Sequence, residues 1–158
     1  MDLSVLANLG EFVAGIGVII SLIYLAVQVL QNTAQVRAST TQAYSDAVGD
    51  LLESVYASPE LTEFFVRALT NPDSMDEAEW MRWHMIMTRT TRHFDSAFYQ
   101  FRTGTMDAEI WDGIRSSMLE WFGQPGIVAW FHRYGERVSP TLRAELTKAL
   151  PALAGDTI

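Results

Sequence analysis

The chain contains no cysteine, and of its 11 basic residues only Lys148 is a lysine. Without thiols, disulfides, thiolate catalysis, zinc ribbons and cysteine-ligated iron–sulfur clusters are excluded. Positive charge is scarce throughout, with 11 basic against 19 acidic residues and a net charge of −8. Such a chain repels phosphate backbones, so no nucleic-acid partner is expected. No run of basic residues flanks the apolar N-terminal segment, which argues against strong attraction to anionic headgroups. No stretch alternates apolar and polar residues at period two, so no sheet is expected.

Signatures of chemistry are missing as well. No G-x-S-x-G elbow, G-x-G-x-x-G or P-loop is present, and Gly15 and Gly17 fall inside an apolar run that cannot cradle phosphate. The histidines are His84, His93 and His132. Metal sites in helical bundles want Glu-x-x-His, or His pairs one turn apart. Met81, Thr90 and Ala129 occupy the positions where the Glu would stand. His84 and His93 are spaced so as to fall on opposite faces of a helix. The expectation is therefore a protein that is not an enzyme, with no catalytic residue, cofactor or metal. His84, set within an apolar stripe, reads as a hydrogen-bonded core histidine.

What the sequence does hold is one long apolar run. From Phe12 to Leu30 it reads FVAGIGVIISLIYLAVQVL, with no charged residue. As a helix it covers about 28 Å, the hydrocarbon thickness of a bilayer. The flank before it carries Asp2 and Glu11 and no basic residue, and no small-residue cleavage site follows. A spanning helix thus fits better than a cleaved signal peptide. The first basic residue beyond the span is Arg37. This thin charge bias places the C-terminal domain in the cytoplasm of a bacterium, the protein being single-pass in the inner membrane.

One side of that helix is lined by small residues. Ala7, Gly10, Ala14, Gly17 and Ser21 recur at alternating spacings of 3 and 4, and the series continues to Tyr24 and Gln28. Helices in lipid associate through close backbone approach and hydrogen bonds rather than hydrophobicity. This stripe reads as a packing seam for a second copy or another membrane subunit, with membrane lipid as the remaining neighbour.

The rest predicts a small helical bundle of about five helices, so the fold class is all-α. Residues 1–35 form the membrane anchor, 36–150 a helical soluble domain and 151–158 a frayed tail. The anchor either breaks near Asn32-Thr33 or runs on as one long helix to about Ala57. Ser58-Pro59 starts the next helix, which Asn71-Pro72 ends. Ser74 to Glu77 fits a capping box before a long central helix reaching Thr103. On that helix Trp80, His84, Met87, Thr91, Phe94, Phe98 and Phe101 repeat at helical spacing, with Trp83, Ile86 and Ala97 alongside. A helix from about Asp107 to Gly123 buries Trp111, Ile114, Met118 and Phe122 along with Ile110 and Trp121. Helices around Trp130 and from Pro140 to Ala149 follow.

The strongest polar cluster is Arg89, Arg92, His93 and Asp95, a candidate anion site in which Asp95 orients a cation. The bland alternative pairs these residues with acids such as Glu53, Glu60 or Glu120.

The segments GVIISLIYLAVQVLQNTAQVRAST, NPDSMDEAEW, FDSAFYQFRTGTMDAEIWDGI and QPGIVAWF resemble a widespread group of uncharacterised bacterial small proteins. These have one N-terminal span and a helical domain, and the likeness covers most of residues 15–145. It implies an anchored bacterial protein and carries over no site residues. The functional expectation is a non-catalytic assembly protein, either a homo-oligomer or an accessory subunit of a larger membrane complex. The alternatives are a membrane-anchored sensor of a small anion or lipid headgroup at the Arg/His cluster, and an oligomeric pore.

Overall fold

A computed structural model of the chain describes residues 3–155. Residues 1, 2 and 156–158, Asp2 among them, lie outside the described residues, as do the side chains of residues 3 and 5–9, Ala7 among them. Among the described residues the fold is all-α, with six helices and no strand. The chain divides into two compact units, 1–39 and 40–158, so the division falls a few residues beyond the expected end of the anchor.

Helix α1 covers Leu3–Tyr56. Of the two expected courses, the unbroken one is found: the polar stretch Gln31–Gln35 contains no proline or glycine to stop a helix, and Thr33 bonds back to the Val29 carbonyl at 2.9 Å. In the first unit the apolar residues of this helix are exposed, from Phe12 at 67% to Leu30 at 71%. The helix is long and apolar enough to cross a membrane. Among its described residues only Leu51, in the second unit, is buried. The neighbouring Leu52 and Tyr56 stay exposed.

Within residues 40–158, α2 (Pro59–Thr70) starts where Ser58 accepts the Leu61 N–H at 3.2 Å and Pro59 occupies the first turn. The turn at Asn71–Ser74 leads to α3 (Glu77–Arg102). Its capping box lies two residues later than the spacing suggested. Asp76 accepts from the Glu79 N–H at 2.8 Å, and Glu79 accepts from the Asp76 N–H at 3.2 Å. Ser74 is committed to the preceding turn, donating to the Asn71 carbonyl at 2.7 Å, so its oxygen does not cap. Gly104 follows with φ +76, a backbone region that favours glycine. The remaining helices are α4 (Ala108–Phe122), α5 (Pro125–Tyr134) and α6 (Pro140–Ala149).

The core of this unit is closed by Trp83 and Met87 of α3, Met118 and Phe122 of α4, Ile127 and Trp130 of α5, and Leu142 and Leu146 of α6, all essentially inaccessible. Trp83 donates through Nε1 to the Gly126 carbonyl at 3.0 Å, so even its one polar atom is satisfied. Gly126 is wedged against α2, where a Cβ would lie 1.9 Å from the Ala68 carbonyl oxygen. Ile110, expected on the buried face of α4, is partly exposed at 38%.

The expected fraying from residue 151 onward does not hold for the described part of the tail. Pro151–Leu153 form a 3-10 turn and Leu153 is buried in the core. His132 donates from Nε2 to the Ala152 carbonyl at 2.8 Å. One apolar anchor and one charge-capable hydrogen bond fasten what composition alone marks as loose.

Candidate functional site

Three places merit attention as sites: the small-residue side of α1, the polar residues of α3, and the concavities of the second unit. On α1, a Cβ built at Gly10 or Gly17 would meet nothing within 4 Å. Among the described residues, these glycines therefore pack against nothing. The polar members of the stripe are partly self-satisfied. Ser21 donates to the Gly17 carbonyl at 2.8 Å, and Gln28 donates to the Tyr24 hydroxyl at 2.9 Å. The Tyr24 O–H and the Gln28 carbonyl oxygen remain available to a neighbour.

The four residues read as an anion cluster are divided. Helical geometry advances 100° per residue, so Arg89 lies within about 60° of both Arg92 and His93, whereas Asp95 is turned well away from Arg89 and His93. Arg89 pairs loosely with Asp50 at 3.8 Å, not with Glu53, Glu60 or Glu120. Asp95 is a structural acceptor. It takes the Ser139 hydroxyl at 2.5 Å and the Ser139 N–H at 3.3 Å, while the same hydroxyl oxygen caps α6 by accepting from Leu142 at 3.3 Å. Arg92 and Asp95 line one hollow together with Ser139, while His93 faces another, and the hydrogen bonds of Asp95 go to the cap of α6.

His93 lines an apolar groove of about 600 Å³ between the second-unit part of α1 and helices α3 and α4. Tyr44, Val48 and Leu51 form one wall, Phe94 another, and Ile114 and Trp121 the third. His93 Nε2 is buried without a partner. Burial and the Arg89 guanidinium push its pKa below the ordinary value, with Asp50 opposing.

His84 lies elsewhere, among α5 residues. Trp130 donates from Nε1 to His84 Nδ1 at 3.1 Å, and the Tyr134 ring lies 4.1 Å away centre to centre. The expectation of a hydrogen-bonded histidine is met, although the ring is only half-buried. Since indole N–H can only donate, Nδ1 is the acceptor and the proton of the neutral ring sits on Nε2. Desolvation, followed by the nearby Arg137 charge, pushes this pKa below the ordinary 6.5. His84 and His93 thus both bind a proton less readily folded than unfolded. Their contribution to stability is complete above the unfolded pKa of 6.5 and is lost as pH falls through the folded values. Thermal melts of the full chain in a neutral detergent should show Tm declining from pH 7.5 toward pH 5. In a His84→Gln variant the slope should be shallower. An unchanged slope would remove His84 from this account.

Among the described residues, no group of three His, Asp or Glu side chains is placed to hold a metal ion. The groove and the unpartnered nitrogen of His93 were not legible in the sequence, because they depend on how α1 meets α3 and α4. The chain matches no protein-family model, no curated protein and no solved structure.

Proposed function

We propose that this is a non-catalytic, membrane-anchored assembly protein. It acts as a homo-oligomer or as an accessory subunit of a larger membrane complex in the bacterial inner membrane, with residues 40–158 on the cytoplasmic side. The observation that carries this reading is the exposure of α1. Its apolar residues from Phe12 to Leu30 receive no cover from their own chain, and the space beside Gly10 and Gly17 is open. Lipid can cover most of that surface. A second helix fits best on the side where small residues let backbones come close and where Tyr24 and Gln28 keep hydrogen-bonding capacity.

Native mass spectrometry in mild detergent tests the proposal. The expected species is an oligomer or a complex with another membrane protein. Gly17→Ile places bulk on the side where a Cβ meets nothing within 4 Å, blocks close backbone approach and should weaken that association. A clean monomer that co-purifies with nothing overturns the proposal. The pore reading, in which Ser21, Tyr24 and Gln28 line a channel, draws less support, since Ser21 spends its proton on its own helix and Gln28 one of its own on Tyr24. The sensor reading at the full Arg/His cluster draws less support, since Asp95 is engaged with Ser139 and Arg89 faces Asp50.

A further inference from the structure

We propose that Arg92, Arg137 and Thr88 form a binding site for a phosphate-type oxyanion. They line a small cavity of about 190 Å³ in the second unit, together with Thr91 and Trp130. No carboxylate is among the residues lining it.

An inventory of hydrogen-bonding groups shows what is free there. Thr91 spends its proton on the Met87 carbonyl at 2.7 Å, and Trp130 spends its own on His84. The Thr88 hydroxyl is buried and has no partner. A buried hydroxyl left unpaired carries a desolvation cost that a ligand would relieve. Arg92 forms no ion pair with any described acid, although the chain carries 19 of them. Arg137 is likewise without a carboxylate. One of its terminal nitrogens lies 3.2 Å from His84 Nε2. That ring nitrogen holds the proton of the neutral ring, so it offers the guanidinium no acceptor. The Tyr134 face, with its centre 5.6 Å away, is the other described neighbour of Arg137.

Two arginines and one unpartnered hydroxyl therefore line the same cavity, and no carboxylate lines it with them. The complement of two positive charges with no carboxylate between them is an oxyanion, and planar guanidinium forks match the oxygens of phosphate in pairs. In a chain of net charge −8, leaving two arginines beside a shared cavity without an acid is the feature that selects an anionic ligand over a neutral one. The same chemistry is offered by free phosphate and by a monoester headgroup such as phosphatidate.

The test uses the full chain in a neutral detergent. Inorganic phosphate, titrated against chloride at matched ionic strength, should raise Tm saturably. Arg92→Gln should weaken that response by about tenfold or more, the scale of a hydrogen bond to a charged group, and Thr88→Val should weaken it with its shape preserved. Circular dichroism separates lost binding from lost folding. If Arg92→Gln and Thr88→Val melt like the wild type yet respond to phosphate as it does, the site is not there. If phosphate has no effect beyond chloride, nanodiscs of phosphatidylcholine with and without phosphatidate decide the source. An Arg92-dependent shift with phosphatidate keeps the site as a headgroup site, and its absence in both arms overturns the proposal. An oligomeric seam on α1 would survive either outcome.

Discussion

Gly126→Ala should be among the most damaging single-methyl additions in the second unit. Gly126 opens α5, and its backbone is pressed against α2. An added Cβ would lie 1.9 Å from the Ala68 carbonyl oxygen and 2.9 Å from its carbonyl carbon. Both are backbone atoms, so no side-chain rotation relieves the overlap, and α2 and α5 must separate. Separation also strains the Trp83 hydrogen bond to the Gly126 carbonyl, which ties α3 to the same junction. Overpacking of this kind costs about 1–3 kcal/mol and sometimes more, and a weakened buried hydrogen bond adds about 1 kcal/mol. The expected result is a Tm lower by roughly 10 °C or more. Gly113→Ala is the control. A Cβ there meets nothing within 4 Å, and the helix gains the usual advantage of alanine over glycine. Its Tm should hold or rise slightly. Equal Tm values for the two variants would mean that the α2–α5 junction is looser than described.

Removing residues 1–39 should move the protein from the membrane fraction to the soluble fraction. The full chain is expected to resist extraction by high salt and alkaline carbonate and to require detergent. Residues 40–158 form a separate compact unit with its own core, which includes Trp83, Met118 and Trp130. Its exposed apolar residues, such as Tyr56, Val66 and Met85, are scattered, whereas in the first unit Val13, Val18, Ile19, Ile20, Leu22 and Ile23 lie in one uncharged run and are each about 60% exposed. Aliphatic residues at the centre of a span each favour insertion by about 0.3–0.6 kcal/mol, and this run is long and apolar enough to cross a membrane, which is why the partition is expected. A full chain that stays dispersed in water without detergent would refute the anchor, and with it the proposed assembly role.

The two predictions separate what the linear sequence discloses from what it conceals. The segment able to cross a membrane is legible because the cost of exposing apolar residues to water accumulates along consecutive positions. Helix limits near Ser58-Pro59, Asn71-Pro72 and Ser139-Pro140 are legible because caps and prolines act within one turn. Where two local signals compete, the reading slips by a residue or two, as at Ser74 and Asp76. The buried rows of α3 and α4 follow from helical spacing, with Ile110 left at the edge of the apolar groove instead of inside the core.

The candidate sites behave differently. Arg89, Arg92, His93 and Asp95 are neighbours in sequence, yet α3 turns them toward different surroundings: Asp50, a cavity shared with Arg137, an apolar groove, and the cap of α6. Arg137 joins Arg92 only because α5 and the turn after it pack beside α3. Leu153 becomes a core residue only because α5 and α6 leave a place for it. By itself, then, the sequence determined the all-α class, the helix boundaries to within about a turn, and a segment able to cross a membrane, since each of these depends on interactions within a few residues or on the summed polarity of one run. Only the tertiary structure decided which arginines lack acids, which glycine admits no methyl group and which tail residues are held. Those properties depend on distances between residues far apart in the chain, and helical periodicity does not specify them.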